Sequence, residues 1–148
     1  MIKRFGMSLA AVAAGAVLAH LAHAQQKPEI LVKQRQSALT LIGKYWGPLN
    51  GMAQGKIPYN PEIVARNARF LDALSQMPWD GFDPSTRDEK SRALPAIYEN
   101  PAKFKEAQDR LRGAIAKLVA ATDEGAFKAA AGEVGKACGG CHDSFRAK

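Results

Sequence analysis

Cysteine and histidine are scarce in this 148-residue chain: two cysteines, Cys138 and Cys141, and three histidines, His20, His23 and His142. Two cysteines cannot build a disulfide framework. Internal repeats and low-complexity segments are absent. So are the alternating apolar and polar residues of strands, and the Gly- and Asn-rich turns of hairpins, which argues against a β fold. Basic runs are also missing. The 21 Lys and Arg are scattered among 14 Asp and Glu, which speaks against nucleic-acid binding. The formal charge of +7 fits a solvated surface, with some preference for acidic partners.

The one long apolar stretch lies at the start. Lys3 and Arg4 precede an apolar run from about Met7 to Leu21, and Ala22-His23-Ala24 follows it. This order predicts a secretory signal peptide, residues 1–24, cleaved after Ala24. The run is short for a membrane anchor, which needs ~20 apolar residues. The mature chain, Gln25 to Lys148, has 124 residues, enough to bury a core. It is expected in the periplasm, with no membrane anchor after processing. Processing removes Lys3 and Arg4 and no acid, so the formal charge falls from +7 to +5. It also removes His20 and His23. His142 is then the only histidine, and it adjoins the only two cysteines.

The mature chain reads as four helices. The first spans about Pro28 to Ala53, with apolar Leu31, Leu39, Ile42, Trp46 and Leu49 near helical period. Pro28 suits its first turn, and Gly51, Gly55 and Pro58 end it. The second opens at Asn60-Pro61-Glu62, where Asn60 can cap, and carries Val64, Ala68, Leu71 and Leu74; Pro78 ends it. Residues 78 to 99 read as a long connection, pinned by Trp79 and Phe82. The third helix opens at Asn100-Pro101, the same cap-and-open pair, and carries Phe104, Ala107, Leu111, Ala114, Ile115 and Leu118. The fourth starts near Thr122 or Asp123, with Phe127, Ala130, Ala131, Val134, Cys138 and Cys141 on one face. The expected fold class is all-α, an antiparallel four-helix bundle.

Cys138-Gly139-Gly140-Cys141-His142 has the C-x-x-C-H pattern of covalent haem attachment. Residues three and four apart share a helix face. Both cysteines can therefore meet the vinyl groups on one porphyrin edge as thioethers, and His142, four after Cys138, can ligate the iron. A redox dithiol normally accompanies a βαβ pattern, absent here. A structural zinc site needs about four ligands, and only three Cys and His remain. A plain disulfide leaves His142 without a role. Gly139 and Gly140 fit close approach of a cofactor, but better the tolerance of many residue pairs between the cysteines. The small residues from Ala129 to Gly135 fit room for a flat cofactor. One haem c per chain is expected, on the C-terminal helix.

A haem motif six residues from the C-terminus, on the last of four helices, resembles the class II c-type cytochromes, most closely cytochrome c′. Arg35-Gln36-Ser37-Ala38-Leu39-Thr40 is similar to the family's first-helix segment, and Gly55-Lys56-Ile57-Pro58-Tyr59 to its first turn. Leu74-Ser75-Gln76-Met77-Pro78-Trp79 is similar to the end of its second helix, and Cys138 to Arg146 to its haem helix. The resemblance covers most of residues 28 to 148; the link from Asp83 to Asn100 is its weak part. It implies that Leu39 lies over the distal iron face, although its spacing also suits an ordinary core leucine. A leucine gives no lone pair, so the iron is expected to be five-coordinate. The remaining methionines, Met52 and Met77, do not align with that position. The resemblance gives Arg35 and Gln36 a haem propionate, which a cation stabilises by a charge-assisted hydrogen bond. It places Arg146 at the proximal face, Phe145 where the family often has tyrosine, and Trp79 either at the haem edge or in plain packing.

The expected function is binding of small gaseous ligands, nitric oxide and carbon monoxide. The resemblance implies nitric oxide binding or detoxification, with His142 a releasable ligand. The alternative is an electron carrier that meets a redox partner through its basic face. An enzyme is not expected, since the distal segment offers no histidine as acid or base. The resemblance further implies a homodimer formed through the first two helices.

Overall fold

The computed structural model describes residues 26–148. The expected leader and its cleavage point lie outside the described residues. Four long helices form the body: α1 (Pro28–Ala53), α2 (Pro61–Leu74), α4 (Pro101–Ala120) and α5 (Glu124–Phe145). A fifth, α3 (Ala96–Glu99), is a single turn. No strand is present among the described residues, only an isolated bridge between Ala93 and Arg146.

The helix ends have local causes. Pro28, Pro61 and Pro101 each sit in a first turn, where the missing N–H costs nothing. Asn60 caps α2 by accepting from Ile63 N at 3.0 Å, and Asp123 caps α5 by accepting from Ala126 N at 2.9 Å. Asn100 does not cap α4 with its side chain. Its backbone, at φ −130° and ψ 60°, also closes α3 through Asn100 N to Ala96 O at 2.9 Å. One residue serving both ends lacks the extended geometry that aims an Asn side chain at the first-turn amides. Gly55, at φ +69°, reverses the chain after α1.

Two buried clusters hold the bundle. The larger joins all four long helices through residues such as Leu49, Leu71, Ile115 and Phe127. Leu49, Ile115 and Phe127 are fully buried, each contributing about 1.5–3 kcal/mol. The smaller groups Ile97, Phe104, Ala107 and Phe145. Cys138 packs against the larger cluster and Cys141 against the smaller.

The expected long connection is more ordered than its Pro and Gly content suggests. It folds into two 3₁₀ turns, Trp79–Phe82 and Pro84–Thr86, before α3. Trp79 and Phe82 do pin it: Trp79 Nε1 donates to Ser75 O at 2.6 Å, and the Trp79 and Phe82 rings lie 6.0 and 5.0 Å from Phe104. Arg35 reaches into it from α1. The connection's far end pairs with the end of α5, through Leu94 N to Phe145 O at 3.0 Å and Ala147 N to Arg92 O at 2.8 Å. The start of α1 and the end of α5 therefore lie at one end of the bundle, so the two helices run antiparallel.

Candidate haem site

α5 carries Cys138, Cys141 and His142 on consecutive turns. The two thiols are free and half-buried, and His142 is exposed. Burial pushes both thiols up, with Arg110 pulling Cys141 back. Partial burial, then Arg146 and Arg92, push His142 down, against Asp143. A neutral imidazole keeps a lone pair for a metal.

The level of Leu39 on α1 follows from the register of α1 against α5. Trp46 Cζ2 lies 3.9 Å from the place a Cβ on Gly135 would take, which fixes the register of α1 against α5. Leu39 is seven residues before Trp46, and His142 is seven after Gly135. Seven residues make nearly two turns and a rise of about 10.5 Å. Because the helices are antiparallel, both steps go the same way, and Leu39 arrives level with His142. Leu39 is 37% exposed, while its neighbours Ala38 and Ile42 are each at 8%. An uncovered leucine here is not an ordinary core leucine.

Arg35, one turn before Leu39, is only 2% exposed. One terminal nitrogen, Nη1, donates to Gly81 O and to Thr86 Oγ1 at 2.8 Å, with Tyr98 Oη at 3.5 Å. The other, Nη2, donates to Ser91 Oγ at 2.9 Å, and the guanidinium lies 4.5 Å over the Phe82 ring. These acceptors are all neutral. Among the described residues Arg35 has no carboxylate partner, and its Nε has no acceptor. Gln36 is exposed beside it. Arg146 is exposed just past α5, and its N–H donates to His142 O at 3.1 Å. Trp79 is partly buried against both clusters. Phe145 is buried with its ring centroid 5.2 Å from Phe104. Within the small residues from Ala129 to Gly135, Ala130 and Ala131 are core, a Cβ on Gly135 would lie 3.9 Å from Trp46 Cζ2, and Gly132 faces open space.

Sequence reasoning missed Gly81, Thr86, Ser91, Arg92 and Tyr98. Ser91 and Arg92 sit in the segment that reads only as a long connection, and no spacing rule links it to α1 or α5. A haem suits the residues present: two free thiols and an imidazole on one helix, an uncovered leucine at the same level of α1, and a buried guanidinium with no carboxylate partner among the described residues.

Residues 31–146 match the family model described as Cytochrome C'. Cytochrome c' of Rubrivivax gelatinosus is 42% identical over 127 residues, covering 83% of this chain and 98% of the relative. Its crystal structure aligns with a TM-score of 0.78, at 42% identity, over 82% of this chain and 98% of that one. A nitric oxide complex of a variant of cytochrome c prime from Alcaligenes xylosoxidans aligns at 39% identity with a TM-score of 0.76, over 82% of this chain and 98% of that one. With the family model spanning most of its length and such relatives covered almost end to end, the chain belongs to the cytochrome c′ family and carries covalently attached haem c.

Proposed function

We propose that this is a periplasmic protein that binds nitric oxide and carbon monoxide at a haem held by Cys138 and Cys141 and ligated by His142. Nitric oxide binding or detoxification is its role, and binding, not catalysis, is its activity. One observation carries the reading: Leu39 lies level with His142 on the facing helix and is left uncovered there. A haem supplies an iron that can take a diatomic ligand on its free side. Leu39 has no lone pair to close that side and no hydrogen to donate. This favours nitric oxide and carbon monoxide over dioxygen, which gains more from a hydrogen bond. The nitric oxide complex solved for the Alcaligenes xylosoxidans cytochrome c prime variant supports the same choice.

The remaining residues fit supporting roles. Arg35 would pair a propionate through its Nε and the second hydrogen of Nη2, with Gln36 adding a neutral donor. Arg146 stands beside His142 on the proximal side, and Trp79 borders the site from the connection. A homodimer through α1 and α2 is supported by apolar residues left on their outer faces. Leu41 is 41% exposed and Phe70 43%, with Tyr45 4.8 Å from the Phe70 ring.

Electron transfer is the second reading. It is favoured by Arg92 and Arg146, whose charges bear on His142 and would attract an acidic redox partner. Absorption spectra, oxidised and reduced, with and without carbon monoxide and nitric oxide, separate the two. A high-spin reduced form that takes up both gases is the expected result. A low-spin form indifferent to both gases would overturn gas binding and leave the electron carrier.

A further inference from the structure

The segment Ser91–Leu94 touches both sides of the site. Ser91 Oγ accepts from Arg35 at 2.9 Å and from Ala93 N at 3.3 Å. Ala93 is the bridge partner of Arg146. Arg92 closes the same junction: its Nε and Nη2 donate to Ala147 O at 3.0 and 2.8 Å, and its carbonyl accepts from Ala147 N at 2.8 Å. Arg146 N donates in turn to His142 O at 3.1 Å. A continuous set of contacts thus runs from Arg35, one turn from Leu39, to His142. The last carbonyls of a helix ordinarily lack partners, and its final turn frays. Here Phe145 O accepts from Leu94 N, and Ala147, two residues past the helix, is held by Arg92.

We propose that Arg92 is a positioning residue: by gripping Ala147 beside the Ala93–Arg146 bridge it fixes the last turn of α5, and with it His142, while Ser91 ties that restraint to Arg35 on the Leu39 side. The guanidinium presents two donors to one carbonyl in a fixed fork. A lysine, with one point charge on a flexible stem, holds the same oxygen less firmly. The inference rests on His142 as axial ligand and not on which gas binds.

The test uses the haem-loaded protein with Arg92→Gln, Arg92→Lys and Ser91→Ala. Amide hydrogen exchange at Arg146 and Ala147 should quicken about fivefold or more in Arg92→Gln, the effect of losing one net hydrogen bond. Arg92→Lys should fall between Arg92→Gln and the parent. Ser91→Ala should quicken the same two amides, because it cuts the tie to Arg35. The iron–histidine stretching band of the reduced protein should broaden or shift in Arg92→Gln and recover partly in Arg92→Lys. Faster exchange with an unmoved band makes Arg92 a mere clip for the tail and overturns the positioning role. Exchange unchanged in both Arg92→Gln and Ser91→Ala overturns the restraint itself. If the unmodified protein shows no iron–histidine band, the ligation reading fails separately. The exchange results then decide the restraint alone: faster exchange in both variants supports it and unchanged exchange refutes it.

Discussion

Alanine at Gly81 tests how tightly the connection is seated on α1. A Cβ at Gly81 would lie 2.6 Å from Arg35 Cβ and 2.7 Å from Leu31 O. Carbon contacts settle near 3.5–4.0 Å, so the added atom is about 1 Å too close. Neither neighbour is the loose end of a side chain. One is fixed by the helix backbone and the other belongs to it, so the Trp79–Phe82 turn has to withdraw. Withdrawal stretches the bond from Arg35 to Gly81 O and disturbs the packing of Phe82 on Phe104. Overpacking costs about 1–3 kcal/mol, and weakening a hydrogen bond to a charged donor adds about 1 kcal/mol or more. A total near 3 kcal/mol corresponds to a fall of about 10 °C in Tm for a domain of this size. Thermal and urea unfolding of the haem-loaded protein, followed by circular dichroism, measure it. Gly113→Ala is the control: Gly113 lies inside α4 with open space around it, so alanine should stabilise by about 0.5–1 kcal/mol. A Gly81→Ala midpoint within about 2 °C of the parent would refute the seating.

Leu39→Met places a thioether on the free side of the iron and should convert the reduced spectrum to low spin, with carbon monoxide uptake strongly reduced; a spectrum like the parent's would mean that Leu39 does not face the iron. Arg35→Lys keeps the charge but cannot reproduce the shared donors to Gly81, Thr86 and Ser91. It should cost about 2 kcal/mol in urea unfolding and quicken amide exchange across residues 83–93; unchanged exchange there would show that the connection holds itself. Asp109 is the surface counterpart, an exposed carboxylate held below the usual value of 3.8 by Lys105 and then Arg112. A lowered folded pKa contributes stability above the unfolded pKa and loses it as pH falls through the folded one. Asp109→Asn should therefore trail the parent slightly in Tm at neutral pH and meet it in acid, and a gap that widens towards acid would reverse the assignment.

The four long helices were legible because each obeys a local rule. Proline opens three of them, Asn60 and Asp123 cap two, and the apolar stripes fall at helical spacing. The proximal side of the site was legible for the same reason, since Cys138, Cys141 and His142 lie within five residues on one helix. Leu39 was reached only by resemblance. Its place depends on the register of α1 against α5, marked by Trp46 beside Gly135, two residues far apart in sequence. Spacing along one helix cannot report a sliding of that helix past another. The connection misled for a related reason. Its prolines and glycines mark turns correctly, but its order comes from Arg35, 46 residues from Gly81 and 56 from Ser91. Asn100 shows the limit of a local rule: the cap-and-open pair marked the start of α4 correctly, yet α3 claimed the backbone geometry that capping needs.

Arg35 ties the two halves of the site together. A buried cation without an anionic partner is unfavourable, and neutral oxygens offset its desolvation without cancelling its charge. Gly81, Thr86, Ser91 and Tyr98 hold the guanidinium by Nη1 and one side of Nη2, which orders the connection. Nε, which donates to no acceptor among the described residues, lies on the edge of the planar group that can meet a carboxylate with parallel bonds. Clamping the connection and holding a propionate are therefore not rival uses of this residue. One edge orders the connection, and under the proposed haem contact the other would meet a propionate. On that proposal the charge that the described residues leave without a carboxylate would gain one from the haem, which an uncharged donor holding the connection alone would not.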